Sequence, residues 1–220
     1  VSKAKELGYF PRQRQAAIGT IHLSITPTVD PLSPISVSKG TKFACTLDNV
    51  TYEFVTVDNT LLTDDLTSGT YEADIDIAQG VFINESWVYN QLDPDQRFVI
   101  QQQNVDTRYM TVGVDSVAWA RIENFVEVQP DSLIYYLQEV NDERVEIYFG
   151  DDILGQEPLT NDVVDIEVLA SEGVAANGCT GFVLLNDIGI YPKGDFTLVD
   201  VAKAQGGADA ESIASIKLLA

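Results

Sequence analysis

The stretch Val145-Glu-Ile-Tyr-Phe-Gly-Asp-Asp-Ile-Leu-Gly-Gln-Glu-Pro-Leu159 holds the chain's most reactive-looking spacing. An alternating strand runs into an acid–glycine loop, and Asp151 with Asp152 offers carboxylate oxygens suited to a hard cation such as Ca²⁺. The D-x-[DN]-x-[DN]-G pattern of a calcium loop is missing, and so is a well-placed terminal glutamate. Nucleophilic hydrolysis needs a base, and His22, the single histidine, sits mid-strand between Ile21 and Leu23 with no G-x-S-x-G turn in the chain. One histidine and two distant cysteines, Cys45 and Cys179, do not supply zinc-ligand spacing. No phosphate-binding glycine loop or dinucleotide fingerprint is present.

Paired carboxylates of the glycosidase kind discriminate nothing here, because any chain with 34 acidic residues contains such pairs. The aromatics Trp87, Tyr89, Trp119, Tyr135 and Tyr136 are candidate sugar platforms. Strand alternation puts Tyr135 and Tyr136 on opposite sheet faces, which assigns one of them to the core. For the Gly150-Asp151-Asp152 loop the simplest reading is a turn. Gly150 supplies the backbone freedom, Asp151 bonds its own backbone onward, and the chain reverses through Gly155 and Pro158 into the next strand. No residue is assigned a catalytic, cofactor-binding or metal-binding role.

The elements that must carry these residues are strands. Ile18, Thr20, His22, Ser24 and Thr26 alternate with Gly19, Ile21, Leu23 and Ile25, a period of two. A proline-studded link follows, then a hairpin with turns at Lys39-Gly40 and Asp48-Asn49. TYEADIDIA, RFVIQ, YMTVGV, ARIENFVEV, LIYYLQEV, RVEIYF, DVVDIEVLA, TGFVLLN and DFTLVDVA read as further strands. Many short strands with little helix between them predict a mainly β fold, α+β overall: an antiparallel sandwich or barrel-like modules. Arg12–Ala17 reads as a helical turn. Two segments echo each other, Asp74–Asn84 and Asp165–Asn177, each an alternating acidic strand followed by G-V-x-x-N. Two related units and chance both account for the echo.

Both ends read as helix. Val1, Ala4 and Leu7 share a face before Gly8, and Gly206-Gly207 with Asp209 as cap opens a helix bearing Ile213, Ile216 and Leu219 or Ala220 on one side. The expectation is a middle piece of a longer polypeptide: 1–16 a helix end and linker, 17–130 a first β module, 131–205 a second, and 206–220 the start of a helix.

Composition narrows the partners. A net charge of -21 repels phosphate backbones and anionic lipid, so neither nucleic acid nor membrane is expected. No apolar run reaches the ~20 residues that span a bilayer, and no signal peptide is evident. Two cysteines make no disulfide framework, and they are read as buried thiols of a reducing compartment. The sequons at Asn49 and Asn84 are read as chance matches.

The segment LIYYLQEVNDERVEIYFGDDILGQEPLTNDVVDIEVLASEGVAANG resembles the J-like baseplate proteins of contractile-tailed phages. LGYFPRQRQAAIGTIHLSI, DNVTYEFVTVDN, TSGTYEADIDIAQGVFINESWVY, QRFVIQQQNVDT and GGADAESIASIKLLA are similar to stretches of the large wedge subunit of T-even-type baseplates. The family's strand ends in F-G-D-G, and Asp152 stands where it usually has glycine. The resemblance implies a structural, non-enzymatic subunit without cofactor or small-molecule substrate. It implies a ring around the tail hub, built with itself and other wedge proteins, that relays the rearrangement triggering sheath contraction. The implied place is the virion tail baseplate, assembled in the host cytoplasm. A carbohydrate-binding module or tail-associated glycan enzyme is the competing reading, resting on the acids and aromatics. A calcium-dependent adhesin module is a further one, resting on the GDD loop.

Overall fold

The computed structural model describes residues 13–28, 34–64, 68–122, 128–140 and 144–211. Among them the protein is built of strands, as the period-two patterning predicts. The chain divides into two compact units. Unit 1 is Val1–Val81 together with Ser171–Ala220, and unit 2 is the intervening Phe82–Ala170. The division is not the one expected from turn spacing: the expected boundary at 130/131 lies inside unit 2. The cause is insertion topology, which returns to unit 1 a chain end that turn signals cannot assign.

In unit 1, β1 (Ile18–Ile25) is flanked by β6 (Tyr71–Gln79) and β15 (Phe196–Gln205), both antiparallel to it. The sheet continues from β6 through β4 (Val50–Thr56) and β3 (Lys42–Leu47) to β14 (Val183–Leu184). β5 (Thr60–Asp64) pairs with β6 and with β2 (Ile35–Val37). Ile21, Leu23 and Ile25 point inward from β1 beside Ile75 and Ile77 of β6, so alternation alone sorts this face into the core. Gly19 leaves room for the Phe182 ring, which packs edge-on against Phe54 at 4.9 Å. Asp48 and Asn49, at φ 51° and 64°, form the tight turn between β3 and β4, where a pair of left-handed residues matches the strand twist.

The segment after residue 177 draws the sheet nearly closed into a barrel-like form. Gly178 N–H donates to the Ala204 carbonyl at 2.7 Å, Ala204 N–H donates to the Cys179 carbonyl at 2.9 Å, and Gly181 N–H donates to the Asp200 carboxylate. Phe182 and Leu184 then enter the core on the way to β3.

Unit 2 is one seven-stranded sheet. Its order is β7 (Val81–Val88), β13 (Val163–Ala170), β9 (Val105–Val114), β10 (Val117–Arg121), β11 (Ile134–Glu139), β12 (Val145–Phe149) and β8 (Phe98–Val99). The pairing of β10 with β11 is parallel, an exception to the expected antiparallel order. The core joins Val112, Val114, Ile166 and Val168 to Ile147 and Tyr135.

Several local expectations change. Residues 13–17 are not a helical turn: Gln15 bridges Ala208, with N–H to carbonyl distances of 2.8 and 3.0 Å both ways. Residues 206–211 are likewise not helical, and Asp209 pairs with Arg14 Nη1 at 2.9 Å. The helices expected at 1–8 and from 212 onward lie outside the described residues. The two halves of the echo differ, since Gly80–Asn84 leads along β7 whereas Gly173–Ala176 is a 3-10 turn. Cys45 and Cys179 are not separate thiols. They form a disulfide tying β3 to the segment that nears closure with β15. The inward position on β3 and the turn after Gly178 put their Cα atoms 6.0 Å apart, inside the bridging range. Their separation of 134 positions hid the pairing from the sequence.

Candidate functional site

The GDD loop follows β12 in unit 2. Asp151 Oδ1 accepts from Ile153 N–H at 3.2 Å and from Leu154 N–H at 3.1 Å, and these bonds hold its carboxyl below the usual carboxylate range. Asp152 adopts φ 61°, the left-handed conformation that aspartate tolerates better than most residues. Its Oδ1 accepts from Glu157 N–H at 2.9 Å, and its N–H donates to the Gly155 carbonyl at 2.9 Å. The carboxylates therefore serve the loop's own backbone. The role of Gly150 is also corrected. It has no positive φ; a Cβ there would run into the Gly155 carbonyl. Gly155 packs on Ile134, where an added Cβ would lie 2.6 Å from Cγ1. Among the described residues no three His, Cys, Asp or Glu side chains are grouped to hold a metal ion.

The aromatic candidates are brought together, but as core. Phe149 meets Trp119 edge-on at 5.2 Å, Phe98 at 5.6 Å and Tyr89 at 6.0 Å, while Tyr89 stacks on Phe98 at 5.5 Å and Trp87 meets Phe98 at 5.9 Å. These rings fill one side of unit 2 instead of presenting a flat sugar platform. Tyr89 donates to Glu157 Oε1 at 3.1 Å, and burial, reinforced by that carboxylate, pushes its phenol up to about 12. Tyr135 is buried and Tyr136 half-exposed, as alternation predicts; Tyr136 donates to the Leu154 carbonyl at 2.8 Å.

Two buried acids escaped the sequence reading. Glu146, wholly buried on β12, accepts two bonds from Arg97 at 2.6 and 2.7 Å and one from the Tyr148 hydroxyl at 2.6 Å. The guanidinium holds the Glu146 carboxyl below its ordinary value. Asp106 on β9 is likewise wholly buried and is clasped by Arg108, Nη2 lying 2.6 Å from Oδ2. A signal existed: the only basic residues between 82 and 170 are Arg97, Arg108, Arg121 and Arg144, scarce enough to be structural partners.

His22 lies on the outward face of β1. Its Nδ1 is 2.8 Å from Asp74 Oδ1 and its Nε2 is 3.4 Å from Glu72 Oε2, and the Asp74 bond raises its pKa. A concavity over β7, β13 and β9 is lined by Asn84, Ser86, Thr111, Gly113, Asp165 and Glu167. Ser86 already donates to Asp165 at 2.7 Å, and no aromatic ring lines it. Asn49 occupies the tight β3–β4 turn.

A mainly β molecule whose acids brace loops and whose aromatics fill a core has the makings of a building block. Sequence comparison gives the class: residues 82–170 match the family described as bacteriophage baseplate wedge protein gp6, third domain. That stretch coincides with unit 2, so unit 2 is similar to a domain of phage-tail baseplate wedge proteins. The similarity is not confined to unit 2. The chain is 27% identical to baseplate wedge protein gp6 of Enterobacteria phage T4, over 100% of its own length and 36% of the relative's. The resemblance read from the residues is thereby borne out. No helix among the described residues is long and apolar enough to cross a membrane.

Proposed function

We propose that this chain is a rigid structural part of a tail baseplate wedge. It joins copies of itself and other wedge subunits in a ring around the hub, and it passes on the rearrangement that releases sheath contraction. The observation that carries the reading is the coincidence of the gp6 third-domain match with a separately folded unit, within similarity that runs over the whole chain. The side chains support it: the paired aspartates brace a turn, and Trp119 packs in the core with Trp87 half-buried against it. On this reading the protein performs no catalysis, needs no cofactor and binds neither nucleic acid nor membrane. It is assembled in the host cytoplasm and resides in the virion.

The acidity has a use in such an assembly. A chain with net charge -21 favours basic neighbours, so wedge formation should weaken as salt rises. The test is to express the full-length parent protein with the other tail proteins and image the purified particles. Stoichiometric incorporation into wedge or ring particles supports the reading. Particles that form without it, or glycan turnover by the purified protein, overturn it.

A further inference from the structure

The sheet of unit 1 stops short of closing on itself. β14 forms one end of it and β15 the other, and among the described residues no strand pairing joins the two. The segment 178–182 crosses the gap. On the β15 side it is held by the two bonds to Ala204 and by the Asp200 carboxylate, which accepts the Gly181 and Phe182 N–H groups. On the β3 side it is held by the short β14 pairing and by the disulfide from Cys179 to Cys45. Of these links the disulfide is the one that redox chemistry makes or breaks.

Both cysteines sit in the apolar core with Phe54, Phe182 and Ala204, Cys45 1% exposed and Cys179 0%. A free cysteine packs as a small apolar side chain, so this core accepts two thiols as well as one disulfide. The two states differ at the gap. A bond closed across 134 positions removes much of the freedom of the opened chain, whereas the dithiol leaves the crossing segment to its hydrogen bonds and the Phe182 ring. Burial also gives the change a direction. A thiol reductant has to reach a sulfur to attack it, and the core shields both.

We propose that Cys45 and Cys179 form a redox latch on unit 1: a dithiol while the chain is in a reducing compartment, and a disulfide that fixes the gap once it reaches an oxidising one. The inference rests on the structural reading above, in which the protein is made in a cytoplasm and ends in a released virion. The reduced pair expected from the sequence and the disulfide of the structure are then two states of one device. Closing the latch forms one S–S bond and removes two protons and two electrons from the thiols. Dissolved dioxygen accepts them and leaves as hydrogen peroxide, and this diatomic oxidant needs far less room to enter than a reducing thiol.

The test traps thiols in the full-length parent protein. Producing cells and released particles are each quenched in acid, alkylated under denaturing conditions and mapped. Cys45 and Cys179 should be alkylated in the cells and joined in the particles. A second arm compares amide hydrogen exchange of the anaerobically purified dithiol protein with that of the same sample after air oxidation. Oxidation should slow the amides of 178–185 more than tenfold and leave those of β9 in unit 2 unchanged. A bond already formed in quenched cells, free thiols in particles, or equal exchange of 178–185 in the two forms overturns the latch, and in these cases the structural reading stands. Particles that assemble without the protein overturn the structural reading, and the exchange arm then decides alone whether the bond acts on the gap.

Discussion

Ser171 donates its hydroxyl to Gln79 Oε1 at 2.7 Å across 92 residues of sequence. The same oxygen accepts Glu172 N–H at 2.8 Å, and Ser171 Oγ in turn accepts Gly173 N–H at 3.1 Å. Gln79 and Ser171 are both buried, and they flank the points where the chain leaves unit 1 and returns to it. One side-chain amide thus joins the two crossings. Gln79→Ala would strand the Ser171 hydroxyl and the Glu172 N–H without an acceptor. The expected loss is about 1–3 kcal/mol in chemical denaturation, because buried polar groups left unpaired forfeit their solvation. A change below the error of the measurement would show that the bond is not structural.

The Arg97–Glu146 pair makes a prediction about pH. Glu146 has a folded pKa below its ordinary value, so the pair stabilises the folded form at every pH above the ordinary glutamate range. That contribution drains away as pH falls through the lowered folded value. In Arg97→Met the buried carboxylate loses its cationic partner and keeps only the Tyr148 hydroxyl, and the fluorescence of Trp87 and Trp119 should report acid unfolding at a higher pH than in the parent. Superimposable acid titrations would contradict the assignment.

Asp152 tests the turn. At φ 61° a β-branched side chain is disfavoured, so Asp152→Val should cost about 1–2 kcal/mol in thermal or chemical unfolding. Asp152→Gly relieves the conformation but gives up the bond from Glu157 N–H, so its net change should stay within about 1 kcal/mol. Equal losses in the two variants would argue for a role outside the backbone.

The disulfide is checked by peptide mapping under non-reducing conditions, which should recover a fragment joining Cys45 to Cys179. Replacing both with serine should lower stability by about 2–5 kcal/mol, measured without reductant. Recovery of two alkylated thiols from air-exposed protein would restore the reduced-cysteine expectation.

Where a residue's fate depended on its neighbours in sequence, the sequence was legible. The inward set of β1, the Asp48-Asn49 turn and the opposite facing of Tyr135 and Tyr136 all follow from a period of two and turn chemistry. What depended on distant contacts was hidden. β7 offers no strand signal of its own in the sequence, and Trp87, a candidate sugar platform by residue type, packs against Phe98 from another strand. The pairing of Asp209 with Arg14 spans 195 positions, out of reach of any local pattern. Backbone freedom is the local reason for a glycine at 150, whereas its constraint comes from the Gly155 carbonyl across the loop. The insertion of 82–170 between the two parts of unit 1 is not marked by turn spacing, although every lysine of the chain lies outside it.

The most direct measurement of the central claim is the composition of assembled particles. The full-length parent protein, expressed with the remaining baseplate proteins and purified by sedimentation, should sit in wedge or ring particles at fixed stoichiometry. Electron microscopy should place residues 82–170 against neighbouring subunits. Particles complete without it, or a lone protein that consumes a sugar substrate, would contradict the account.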